Sequence, residues 1–121
     1  MDAVSAFVNA INGHNVDELA ELMTEDHVFI DSMGTAVQGR DKMKAGWTAY
    51  FSMVLHYAIE VEETFSDGFV LVMLGVARGT FSGEAWSTPA AWRARVRDGR
   101  VAEWRVYADN EPIRELMRKA R

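Results

Sequence analysis

The sequence contains no cysteine, only two prolines and no apolar run longer than a few residues. The first absence removes disulfides, thiolate metal centres, iron–sulfur clusters and thiol nucleophiles together, and it fits a reducing, cytoplasmic setting. The longest apolar stretch, Phe69–Leu74, is far too short for a membrane span, and no signal-peptide pattern opens the chain. No glycine-rich phosphate loop precedes a helix, no serine sits in a nucleophile elbow, and the histidines form neither a His-x-His nor a Glu-x-x-His pair. Nucleotide chemistry, serine nucleophiles and metal centres are therefore not expected, and no cofactor is implied.

What remains is the composition of one soluble domain over residues 1–121, with 49% hydrophobic and 26% charged residues. The formal charge of −5 argues against nucleic acid as the partner. That charge is unevenly divided. Residues 1–67 hold 12 acids and 3 bases, whereas residues 68–121 hold 6 acids and 10 bases. No linker separates the halves, so the division lies within one fold.

Val4, Phe7, Val8 and Ile11 recur at helical spacing and stop at Asn12-Gly13. Asn15, with Glu18 three residues on, opens a second helix in a capping-box arrangement. A short strand follows with His27, Phe29 and Asp31 on one face, then a second extended piece around Ala36–Gln38. Met43, Trp47, Tyr50, Phe51 and Val54 mark a third helix from about Asp41, and Gly46 inside it predicts close packing. Beyond it, apolar-patterned segments near 56–65, 69–81, 85–97 and 100–108 are separated by Ser66-Asp67-Gly68, Ser82-Gly83 and Asp98-Gly99, the signature of a hairpin meander. Gly75 and Gly79 stand where a curved sheet needs bulges. Asp109 or Asn110 caps a short last helix containing Pro112. The expected fold is α+β: a cone of curved antiparallel sheet packed by three helices, plus the C-terminal helix, with a cavity inside.

Phe69–Ala77 is apolar at nearly every position, which predicts a strand covered on both faces. Helices supply one cover, and a second copy of the chain is expected to supply the other. Arg93, Arg95 and Arg97, with Arg105, would line that outer face, which is either solvated or a dimer interface where Arg93, Arg95 or Arg105 meets acids such as Glu60 and Glu62 of the same or the other subunit.

The stretches Phe7-Val-Asn-Ala-Ile-Asn-Gly-His-Asn-Val-Asp-Glu-Leu19 and Gly99-Arg-Val-Ala-Glu-Trp-Arg-Val-Tyr-Ala-Asp109, in this order of elements, resemble the nuclear transport factor 2-like (cystatin-like) superfamily. Within it the chain is most similar to the SnoaL-like group, with ketosteroid isomerases and limonene-epoxide hydrolases as relatives. The resemblance places Asp31 at the isomerases' general-base position. It places Phe7 where their oxyanion-hole tyrosine stands and about Trp92 where their second donor, a protonated aspartate, stands. Each missing donor is worth roughly 3–4 kcal/mol of barrier, so steroid isomerisation in its usual form is not implied. The epoxide-hydrolase acids fall at Thr80 and Val106, and the cyclases' terminal acid falls one residue out of phase at Asp109.

The candidate site residues are accordingly Asp31 as proton acceptor and His27 as its assistant. Phe7, Trp47, Phe51, Trp86, Trp92 and Trp104 are the candidates for an apolar ligand-binding wall. The expected partner is a small hydrophobic molecule, bound for isomerase, lyase or cyclase chemistry or held without chemistry, and an accessory dimerisation or protein-interaction domain using the outer sheet face is the further alternative.

Overall fold

The computed structural model describes residues 2–119. Helices α1 (Ala3–Asn12) and α2 (Val16–Glu21) are followed by β1 (Met23–Ile30), β2 (Ala36–Gln38) and α3 (Arg40–Met53). Four long strands, β3 (Leu55–Asp67), β4 (Val70–Phe81), β5 (Glu84–Arg97) and β6 (Arg100–Ala108), then lead to α4 (Glu111–Lys119). The six strands form one curved, unclosed sheet in the order β2-β1-β6-β5-β4-β3. Every pairing is antiparallel except β1 with β6, a parallel junction that the expectation of an antiparallel sheet missed.

Local chemistry explains most boundaries. Asp2 caps α1 by accepting from the Ser5 amide at 2.8 Å. The left-handed residue after that helix is His14 (φ 52°) rather than Gly13, which stays right-handed. Asn15 accepts from the Glu18 amide at 3.1 Å, and its own side-chain amide donates to the Glu18 carboxylate at 3.2 Å. Ser82-Gly83 and Asp98-Gly99 have positive φ at both positions, as two-residue hairpin turns of type I′ demand. The first hairpin turns instead at Gly68-Phe69, so β3 runs on to Asp67 and Phe69 sits 76% exposed at the tip.

Two register shifts bend β3 against β4, between Leu55 and Ala58 and between Val61 and Glu63. Both lie opposite glycines. A Cβ on Gly75 would stand 1.8 Å from the Glu60 carbonyl oxygen, and one on Gly79 would stand 2.6 Å from Val54 Cγ1. Gly46 behaves otherwise: its Cβ would meet only the Met43 side-chain tip at 3.7 Å, so the predicted close packing is absent there.

Alternation on β5 buries Trp86, Thr88, Ala90, Trp92 and Ala94 on one face, and Pro89 does not break the phase. Phe7 and Ile11 of α1 and Leu19 of α2 fill the same side, together with Val101 and Trp104 of β6. The opposite face is uncovered within one chain: Leu74 is 38% and Tyr107 44% exposed, so β4 is not buried on both sides by its own chain. Within one chain the expected pairing of Arg93, Arg95 or Arg105 with Glu60 and Glu62 is not made. Glu103 on adjacent β6 takes Arg93 at 2.9 Å and Arg95 at 3.4 Å. Glu60 pairs with Arg78, its near neighbour across the β3–β4 ladder, at 3.0 Å. Arg97 binds Asp26, and this pair, like Glu60–Arg78, joins the acidic and basic halves.

Candidate functional site

Between the inner sheet face and α3 lies a cavity of about 610 Å³. That is a size that holds a drug-sized molecule. Helical spacing puts Met43, Gly46, Trp47 and Tyr50 of α3 along one wall. Strand alternation brings Tyr57, Ala77, Trp86 and Thr88 to the facing wall, with Val106 and Ala108 from β6. Phe29 and Asp31 enter from the end of β1, and Ile113, Arg114 and Met117 of α4 complete the enclosure.

The aromatic rings of this cavity brace one another. Trp47 stands edge-on to Tyr50 (6.4 Å, 90°) and to Phe29 (6.1 Å, 77°). Tyr50 meets Tyr57 edge-on at 5.0 Å, and Tyr57 leans on Trp86 at 6.2 Å. Edge-to-face contacts of this kind fix ring orientation as well as burying area. Burial pushes the Tyr50 phenol up to about 12, and burial together with its neighbour Tyr50 raises Tyr57 further. Both therefore stay neutral O–H groups at ordinary pH, and among the described residues neither hydroxyl has a hydrogen-bond partner.

Asp31 is half-buried and, among the described residues, is the one carboxylate in the lining. Its Oδ1 accepts from the amides of Met33 and Thr35, both at 2.9 Å, which holds the β1–β2 turn. Ser32 beside it accepts from the Asn110 side-chain amide, tying the end of β1 to the start of α4.

His27 shares the Asp31 strand face but not the cavity. It is fully buried, its Nδ1 donates to the Val101 carbonyl at 2.6 Å, and its Nε2 has no partner. Burial holds its pKa below the usual 6.5. Phe7, Trp92 and Trp104 likewise lie outside the lining. Phe7 packs on Trp104 at 4.8 Å and on His27 at 6.0 Å, so this group forms buried core outside the cavity lining. Phe51 lies behind the wall, stacked on the His14 ring at 4.2 Å. Of the six residues expected to line a ligand site, the structure places Trp47 and Trp86 on the cavity and the other four behind it. The physical reason is occupancy: α1 packs against β3, β5 and β6 and covers that part of the sheet with core side chains.

Sequence reasoning missed Tyr57 as a lining residue and the contribution of α4. The alternation of Tyr57, Ile59 and Val61 is visible in β3, and its burial pattern follows it. No comparable signal shows where α4 docks. Arg78 and Thr80, the epoxide-hydrolase match, border a separate outer groove, while Val106 does line the cavity. Asp109 is exposed and caps α4, its carboxylate accepting from the Glu111 amide at 2.9 Å. Among the described residues no three His, Asp or Glu stand together as metal ligands, and no helix is long and apolar enough to cross a membrane.

Solved structures with this architecture are numerous. One is a SnoaL-like protein from Shewanella denitrificans OS-217 named as a polyketide cyclase (TM-score 0.85, 18% identity, covering 97% of this chain and 95% of that one). Another is a ketosteroid isomerase-like-fold protein from Catenulispora acidiphila DSM 44928 in complex with trimethylamine (TM-score 0.84, 19% identity, 92% and 88% covered). A third is an epoxide hydrolase of the limonene-epoxide-hydrolase-like type from M. tuberculosis (TM-score 0.83, 20% identity, 96% and 87% covered). At these identities the likeness is one of fold. No curated protein matches significantly. The model of the SnoaL-like domain matches residues 4–104, most of the sheet and all three N-terminal helices, and the chain belongs to that family.

Proposed function

We propose that the cavity binds one small, largely apolar carbonyl compound and that Asp31 moves a proton on it, in an isomerase-, lyase- or cyclase-type step without a cofactor. The observation that carries this reading is the placement of one carboxylate, Asp31, on a cavity whose walls are mainly aromatic and apolar, with its cations Lys42 and Arg114 exposed. In that step the Asp31 carboxylate takes a proton from a carbon beside the carbonyl and becomes a carboxylic acid. The electron pair moves onto the carbonyl oxygen. A neutral phenol, Tyr57 or Tyr50, then donates a hydrogen bond to that developing oxyanion. Return of the proton from Asp31 to another carbon completes an isomerisation, and loss of a leaving group instead completes an elimination. These phenols would stand in for the donors absent at Phe7 and Trp92, which lie outside the cavity lining.

The test has two stages. A thermal-shift screen of polyketide-like, terpenoid and steroid-like ketones identifies what binds, since binding raises stability by mass action. Asp31→Asn is then compared with the parent protein: turnover is lost while affinity stays within a few-fold, and Tyr57→Phe lowers kcat by roughly a hundredfold. Unchanged turnover in Asp31→Asn removes the catalytic role. A second reading, ligand binding without chemistry, is supported by the two backbone amides that occupy Asp31 Oδ1. Bound ligand recovered unaltered after prolonged incubation would favour it.

The uncovered outer sheet face supports a homodimer, with Leu74 and Tyr107 of each copy against the other. Sedimentation at micromolar concentration would show a dimer that Leu74→Lys dissociates. A monomeric parent protein would exclude it.

A further inference from the structure

The charged groups of the cavity are unevenly distributed. Trp47, Tyr57, Ala77 and Trp86 are all buried, whereas Lys42 is exposed and the Arg114 side chain is 46% exposed, so the two cations mark the open end. Most other polar groups at that end are already engaged: Asp31 Oδ1 by two amides, Ser32 and Asn110 by each other. Lys42 has no ion pair among the described residues, while Lys44, two positions on, is held by Asp17 at 3.1 Å. Arg114 contacts Glu111 at 3.7 Å, a carboxylate that Arg118 also holds, and its Nη1 reaches only the Met33 sulfur at 3.6 Å. Two weakly neutralised cations, from the first turns of two different helices, therefore border one apolar cavity in a chain of net charge −5.

We infer that the ligand is an amphiphilic organic carboxylate, its head at Lys42 and Arg114 and its apolar body among Trp47, Tyr57 and Trp86. This rests on the cavity being the ligand site and adds the charge and orientation of what enters it. A single negative charge fits better than a phosphate dianion, because Lys42 and Arg114 together balance Asp31 and one further charge, leaving a dianion's second charge without a partner at the edge of an apolar cavity. Arginine's planar fork matches a carboxylate, and the lysine adds a point charge. The head group held at the rim leaves the tail to exchange water for aromatic surface, which supplies most of the affinity.

The experiment uses the full chain and three probes of one tail length: decanoate, decanol and decyltrimethylammonium, titrated by calorimetry at low salt. Decanoate is expected to bind about tenfold tighter than decanol, since two exposed cations contribute at most a few-fold each, and the margin should shrink as salt rises. Decyltrimethylammonium is expected to bind weakest. The double variant Lys42→Gln/Arg114→Gln brings decanoate and decanol level, whereas Lys44→Gln, outside the cavity lining, leaves the preference intact. Equal binding of decanoate and decanol by the parent protein, or tighter binding of the ammonium probe, overturns the carboxylate assignment and leaves the cavity a ligand site. Failure of all three to bind overturns both.

Discussion

Gly46, Gly75 and Gly79 all have backbone angles open to any residue, so the fate of an alanine at each is decided by space alone. At Gly46 the new methyl meets the Met43 Cε at 3.7 Å and Sδ at 3.8 Å, ordinary contacts with a flexible tip. The substitution also removes a glycine from the interior of α3, a gain of about 0.5–1 kcal/mol. At Gly79 the methyl meets Val54 Cγ1 at 2.6 Å and Trp86 Cζ2 at 3.1 Å, side chains that can shift at a cost of about 1–3 kcal/mol. At Gly75 it would fall 1.8 Å from the Glu60 carbonyl oxygen and 2.9 Å from its carbon, backbone atoms held in the β3–β4 ladder. Relief there means parting two strands at a bulge, and the expected loss exceeds about 3 kcal/mol. Urea unfolding with a shared m-value reads all three as shifts of the midpoint. Gly46→Ala should stabilise, Gly79→Ala should destabilise moderately, and Gly75→Ala should unfold first or fail to fold. A Gly75→Ala protein as stable as Gly79→Ala, or a destabilised Gly46→Ala, would refute the spatial argument.

His27 should make stability pH-dependent. Its folded pKa lies below 6.5, so from about pH 6.5 downward the unfolded chain binds the extra proton and stability falls, by at most about 1.4 kcal/mol per pH unit. His27→Gln should flatten that slope in urea midpoints taken from pH 7.5 to 5.5; parallel profiles would count against it. Asp31→Ala should lose about 1 kcal/mol, the net worth of hydrogen bonds whose exposed Met33 and Thr35 amides pass to water, whereas Asp31→Asn keeps the accepting oxygen and should stay within about 0.5 kcal/mol, again by urea midpoint. Glu103→Gln leaves Arg93 and Arg95 facing each other and should cost about 1 kcal/mol at low salt and less at high salt, by thermal melting.

The architecture was legible because its signals are local. Asn15 and Glu18, the Asp98-Gly99 turn, the alternation from Trp86 to Ala94 and the helical spacing of Met43, Trp47 and Tyr50 each act within a few residues. The parallel β1–β6 junction has no such local signature, because it is made by strands far apart in the chain. The same limit governed the site. Periodicity tells which face of an element is apolar but not how deep each residue lies along it, so Phe7, Trp92 and Trp104 read like Trp47 and Trp86. Which of them line the cavity is set by where α1 and α4 pack on the sheet. Asp31 was found through a resemblance, and its turn-holding amides belong to backbone that no side-chain pattern reports.

The β1–β6 junction bears on the order in which the molecule assembles. Strands β3 to β6 join near neighbours through two-residue turns, whereas the His27–Val101 hydrogen bond closes a loop of 74 residues. Loop-closure entropy favours the meander forming early and β1, with the helices around it, docking late. Pulse-labelled hydrogen exchange during refolding should then protect β4 and β5 amides before the Val101 amide, which bonds to Leu22 at 2.7 Å. Simultaneous protection would exclude a late docking step. On this order of events the binding cavity does not exist until the last long-range closure, and a newly made chain carries half of its walls before it can hold anything between them.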